Sequence, residues 1–122
     1  MFHIDHSDPT PVETQLVRTV RSAVSAGLLA PGEPLPTVRH LSVELRVNAN
    51  AVERAYAELA REGVVELRPG AGTFVREGGE TAGREAAFDE LIRLEDDFLR
   101  QAAELGFSRD EVIIHLDSRR NL

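Results

Sequence analysis

The sequence predicts a mainly α chain with one small β-hairpin, in the order three short helices, the hairpin, and two further helices. Three observations carry that prediction. Apolar residues recur every third or fourth position in several separate segments. Proline and glycine clusters stand between those segments, and the stretch VVELRPGAGTFVR is strand-like on both sides of a glycine-rich turn. A chain of 122 residues with 42% hydrophobic side chains supplies one modest core, either one domain or one small domain with an appendage.

The first helix is read from DPTPVETQLVRTVRSAVSAG. It opens on turn and capping residues, places Pro11 near the first helical position, and closes at Gly27, while Val12, Leu16, Val20 and Val24 form one buried stripe. LLAPGEPLP cannot be helical, because Pro31, Pro34 and Pro36 interrupt it. Thr37 then caps a helix of about two turns with Val38, Leu41 and Leu45 inward. Asn48 caps the next, which runs to about Glu62. Its inner face is Val52, Ala55, Tyr56 and Leu59, so Asn50, Glu53, Arg54 and Ala57 point outward, and Gly63 stops it. Two short strands around RPGAG complete the unit, and three helices with a hairpin make a winged helix-turn-helix. Such a tight helix pair presents the start of its second helix to the DNA major groove. An exposed asparagine there suits the donor and acceptor edge of adenine. The same elements also occur in domains that bind proteins, so a winged-helix interaction module without a DNA target stays open.

Composition narrows the function classes. There is no cysteine, which removes disulfide scaffolds, zinc ribbons and thiol chemistry. Of four scattered histidines only those of HIDH have ligand-like spacing, with no second cluster to complete a site, so no metal and no cofactor is expected. No histidine falls beside a plausible nucleophile and no glycine loop opens a phosphate site, so no enzyme is expected. Nothing resembles a signal peptide and no apolar run is long enough to span a membrane; a soluble, cytoplasmic protein without a membrane partner is expected. The net charge of -7 opposes a polyanionic partner at first sight, yet residues 1–77 carry only -2 of it and residues 78–122 carry -5. The acid excess lies mostly in the tail.

The run REGGETAGRE reads as a linker, which divides the chain into 1–77, a linker at 78–83, and a helical tail at 84–122. In the tail, Phe88, Leu91, Phe98, Ala102 and Leu105 recur at three- and four-residue intervals with Ile92 and Leu99 beside them, giving a long helix an apolar seam. Gly106 ends it. SRDE at residues 108–111 is a capping box that starts a last helix, with Val112, Ile113 and Leu116 inward. A seam of this length calls for a partner helix. Folding of both tail helices onto their own wing domain is the alternative. Glu95, a lone acid at that seam, is expected to fix register there, or else to lie on its rim.

Four spaced patterns carry a resemblance to the GntR family of bacterial transcriptional regulators. They are P-x-x-x-Q-L at residues 11–16, G-x-L-x-P-G-x-x-L-P-T-x-R-x-L at 27–41, A-Y-x-x-L-x-x-x-G at 55–63, and G-x-G-x-F-V at 70–75. The tail resembles that of the short YtrA-like branch, which pairs through two such helices. The resemblance implies that Arg39 contacts DNA, that Asn48, Ala49 and Asn50 lie at the groove, and that Pro69 and Gly70 form the wing tip near the minor groove. Around the helix start many relatives carry serine, threonine and arginine where this chain has Asn48, Ala49, Asn50 and Ala51. Glu53 stands where some relatives have arginine, and Ala71 where lysine is common. Arg54 and Arg68 are the expected compensating cations. The expected function is a homodimeric transcription factor, a repressor, bound to a pseudo-palindromic operator in double-stranded DNA. A small-molecule effector at the tail seam stays open.

Overall fold

The computed structural model describes residues 2–120. In chain order it holds α1 (Val12–Ser25), α2 (Val38–Leu45), α3 (Ala49–Arg61), β1 (Val65–Arg68), β2 (Gly72–Val75), α4 (Gly79–Glu104) and α5 (Arg109–Ser118). Two compact units result, the first ending at Ala87 and the second beginning at Phe88.

In the first unit, the α1 stripe is buried as its spacing requires: Leu16, Val20 and Val24 are inaccessible and Val12 packs beside them. Pro11 stands just before the helix, and its carbonyl accepts the Gln15 N–H at 3.0 Å. Thr37 caps α2 by accepting the His40 N–H at 3.1 Å, and Leu41 of that helix enters the core with Val38 and Leu45 at its margin. The turn into α3 is closed from both sides by Ser42, whose hydroxyl donates to the Val47 carbonyl at 2.7 Å and whose carbonyl accepts the Val47 N–H. Val52, Ala55, Tyr56 and Leu59 of α3 are all buried. The Tyr56 hydroxyl donates to the Pro36 carbonyl at 2.7 Å, and burial pushes its phenol above the ordinary range.

The two strands pair antiparallel, with Val65 opposite Val75 and Arg68 opposite Gly72. At the tip the Arg68 carbonyl accepts the Ala71 N–H at 2.9 Å across Pro69 and Gly70. Gly70 has φ 76, so proline at the second place and a left-handed glycine at the third give the turn its sequence. The proline-rich segment before α2 also joins this hairpin. Leu35 N–H donates to the Thr73 carbonyl at 2.8 Å and Val75 N–H to the Glu33 carbonyl at 2.9 Å, with Pro34 bridging Phe74. The wing is thereby tied to the entrance of α2.

One feature departs from the sequence reading and two lie outside it. Residues 78–83 are not a linker, since α4 begins at Gly79 and its first turns belong to the first unit. A methyl on Gly79 would stand 2.6 Å from the Val64 carbonyl oxygen, and one on Gly83 would stand 3.1 Å from Ser25 Oγ. The two glycines lie four residues apart on one helix face, and they let it approach closely. Second, the N-terminal arm is part of the core: Phe2 and Ile4 are buried, and the Gln15 side chain accepts the Asp5 N–H at 2.9 Å while donating to the Asp5 and Thr10 carbonyls. His6 adds a bond from Nε2 to the Leu45 carbonyl at 3.0 Å. Third, Arg21 of α1 and Glu62 beyond α3 form a bidentate pair at 2.8 and 3.1 Å, with side chains only 5% and 6% exposed. Among the described residues no buried side-chain nitrogen or oxygen lacks a partner.

In the second unit, Ser108 and Glu111 form both halves of the expected capping box, and Gly106 follows α4. Val112 and Ala102 are buried, but Ile113 and Leu116 are exposed, contrary to their expected inward placement. Two helices cannot cover both faces of α5 in a single chain.

Candidate nucleic-acid interface

Helices α2 and α3 pack together, and the exposed surface of α3 begins at its capped end. Asn48 Oδ1 accepts the Asn50 N–H at 2.7 Å, so the Asn48 carbonyl group is already committed to the helix. Ala49 and Asn50 are exposed, and one turn on Glu53 and Ala57 continue the same outward face. The Asn50 side chain has no hydrogen bond among the described residues and offers both a donor and an acceptor. Ala51 does not belong to this surface. It is only 7% exposed, so its methyl serves packing and no groove-facing donor is missing there.

Arg39 lies on the exposed side of α2 with no ion pair or hydrogen bond among the described residues. Arg54 is exposed too, but its Nε donates to Glu13 Oε2 of α1 at 2.8 Å. Arg68 stacks 4.2 Å over the Phe74 ring and reaches Glu66 at 3.4 Å, so its side chain runs back along the hairpin, away from the exposed Pro69 and Gly70 tip. Of the two α3 carboxylates, Glu58 is bonded by Arg61, and that hydrogen bond holds its carboxyl below the usual range. Glu53 is unpaired among the described residues. One cation escaped the sequence reading: Arg46, exposed, closes α2 with a left-handed backbone at φ 56. Its position between two helices of a tight pair was the available signal.

The tail residues Phe88, Leu91, Ile92, Phe98 and Leu105 remain exposed, at 58% for Phe88 and 77% for Leu105, whereas Ala102 is buried and Leu99 half-buried. Glu95 is exposed alongside them. Phe98, Ala102, Leu105, Phe107, Val112 and Leu116 line an open apolar groove of about 710 Å³. Among the described residues, no cluster of three or more histidine or acidic side chains could hold a metal, and no helix is long and apolar enough to cross a membrane.

A helix pair with an exposed capped end on its second helix, flanked by a hairpin tied back to the first, defines a winged helix-turn-helix of the DNA-binding class. The description "Bacterial regulatory proteins, gntR family" matches residues 13–75. Over 81 residues the chain is 37% identical to the HTH-type transcriptional repressor YtrA of Bacillus subtilis, covering 66% of this chain and 62% of that protein. It is 34% identical over 104 residues to the uncharacterized HTH-type transcriptional regulator YhcF of the same organism, covering 84% of each. A solved GntR family transcriptional regulator from Listeria monocytogenes matches with TM-score 0.69 at 25% identity, covering 94% of this chain and 98% of that one. The chain belongs to the gntR family of bacterial regulatory proteins.

Proposed function

We propose that this protein is a cytoplasmic transcriptional repressor that binds a pseudo-palindromic operator as a homodimer, with one winged helix on each half-site. The observation that carries the DNA contact is Arg39. Along residues 27–41, each other position fixed by the family pattern has structural work in this chain. Gly27 closes α1, Leu29, Leu35 and Leu41 are buried, Pro31 and Gly32 turn the chain, Pro36 accepts from Tyr56, and Thr37 caps α2. Arg39 alone among them is exposed and unpaired, which leaves its guanidinium for phosphate or guanine. Asn50 is the base-reading side chain, Ala49 permits close approach of the helix end, and Asn48 holds the helix start in shape. Arg46, Arg54 and Arg68 supply further positive charge, and Pro69 with Gly70 reaches toward the minor groove.

The homodimer rests on the tail. A row of exposed phenylalanine, leucine and isoleucine side chains on two helices is more apolar surface than a solitary soluble chain keeps uncovered, and a second copy of the same seam covers it symmetrically. Selection of bound duplexes from a random pool tests the reading. Enrichment of an inverted repeat with half-sites about one helical turn apart supports it. Recovery of unenriched sequence, with no salt-dependent shift of any duplex, refutes it and favours a protein-binding winged helix.

A further inference from the structure

We propose that Glu53 is a specificity residue that accepts a hydrogen bond from the N4 amine of a cytosine, next to the base pair addressed by Asn50. The assignment rests on the DNA-binding reading above. A carboxylate on the leading surface of a DNA-facing helix repels phosphate unless it meets a donor. Three intramolecular exits are closed in this chain. Arg54, the adjacent cation, is taken by Glu13 at 2.8 Å. Arg61 is taken by Glu58. On its own face the residues four before and four after Glu53 are Ala49 and Ala57, which offer only methyl groups, and the Asn50 amide three before it makes no hydrogen bond to it among the described residues.

The chemistry of the groove then selects the partner. Guanine and thymine present only acceptors at their polar major-groove edges, and adenine sets an acceptor beside its amine, whereas cytosine presents a lone donor. A carboxylate, which has acceptors only, is attracted to cytosine and rejects the other three bases. Asn50 carries the complementary pair that fits adenine. Three residues of α-helix rise about 4.5 Å and one base step about 3.4 Å, so the two side chains address neighbouring base pairs. Glu53 would thus lower affinity for random duplex while sharpening the choice of operator.

Parallel selections with the full chain, Glu53→Ala and Glu53→Gln test this. Wild type is expected to require cytosine at one position in each half-site, beside the adenine column. Glu53→Ala should lose that column alone and bind random duplex more tightly, and Glu53→Gln should shift it toward adenine. In titrations, replacing that C·G pair by T·A should weaken wild type about tenfold and leave Glu53→Ala almost unchanged. A cytosine column that survives in Glu53→Ala overturns this assignment alone. A wild-type chain that selects no sequence overturns the DNA reading and this assignment together.

Discussion

Asn48 and Asn50 differ by two positions and should fail in opposite ways. The Asn48 side chain accepts the Asn50 N–H at 2.7 Å and so satisfies one of the orphan amides at the start of α3. Removing such a cap costs about 1 kcal/mol. For a unit that ends at Ala87, each 1 kcal/mol corresponds to roughly 4–8 °C in Tm, the range for domains of 60–100 residues. Asn48→Ala is therefore expected to lower Tm by about that amount, and Asn48→Ser should restore it because serine caps about equally well. Asn50→Ala removes a side chain that is exposed and bonds nothing among the described residues, so its stability should stay within about 0.5 kcal/mol of wild type. Its cost appears on DNA instead, as about 1–3 kcal/mol of lost discrimination at one base step. Thermal unfolding at fixed protein concentration, with operator and mismatch titrations at matched salt, reads both quantities. A normal Tm for Asn48→Ala, or equal affinity loss on every sequence for Asn50→Ala, refutes the division of labour.

Gly79→Ala should destabilise by about 1–3 kcal/mol, since its methyl meets backbone at 2.6 Å, whereas Gly83→Ala should cost less, because its methyl meets side chains no nearer than 3.1 Å and alanine favours the helix; chemical denaturation of both variants measures the contrast. Tyr56 is the sole tyrosine and there is no tryptophan, so phenolate absorbance reports on that residue alone. Its folded phenol keeps its proton above the unfolded value near pH 10, so the unfolded chain binds fewer protons there and stability falls as pH rises past 10. The phenolate signal should accordingly develop only together with loss of helical circular dichroism. A chain cut after Ala87 should fold as a monomer and lose most operator affinity, because the second half-site is no longer held at high effective concentration; sedimentation and duplex titration check both parts.

The helices and caps of the first unit were legible because each rests on a local rule. Leu16, Val20 and Val24 repeat at helical spacing, Thr37 and Asn48 stand at caps, and Pro69 with Gly70 specifies its turn. Features that depend on distant partners were not legible. Nothing local joins Arg21 to Glu62, or the Gln15 amide to Asp5. Phe2 and Ile4 do alternate, but two residues are too few to mark a strand-like arm against the core. In the sequence the glycines at 79 and 83 belong to a run that reads as a linker, whereas tertiary packing uses them as small residues inside a helix. Within the site, the exposure of Asn50, Glu53 and Arg54 followed from the stripe opposite them. The engagement of Arg54 by Glu13 and the burial of Ala51 required the neighbouring helix to be in place. Ile113 and Leu116 are exposed because helical spacing marks which residues are apolar and not what covers them.

The most direct measurement of the central claim is the salt dependence of duplex binding by wild type and Arg39→Ala. Each lost phosphate contact lowers the steepness of log K against log salt by about 0.9. Arg39→Ala is expected to keep its fold, bind its selected operator more weakly, and either flatten that slope by about one contact or lose preference at a single guanine. Affinity, slope and sequence preference all equal to wild type would contradict the account.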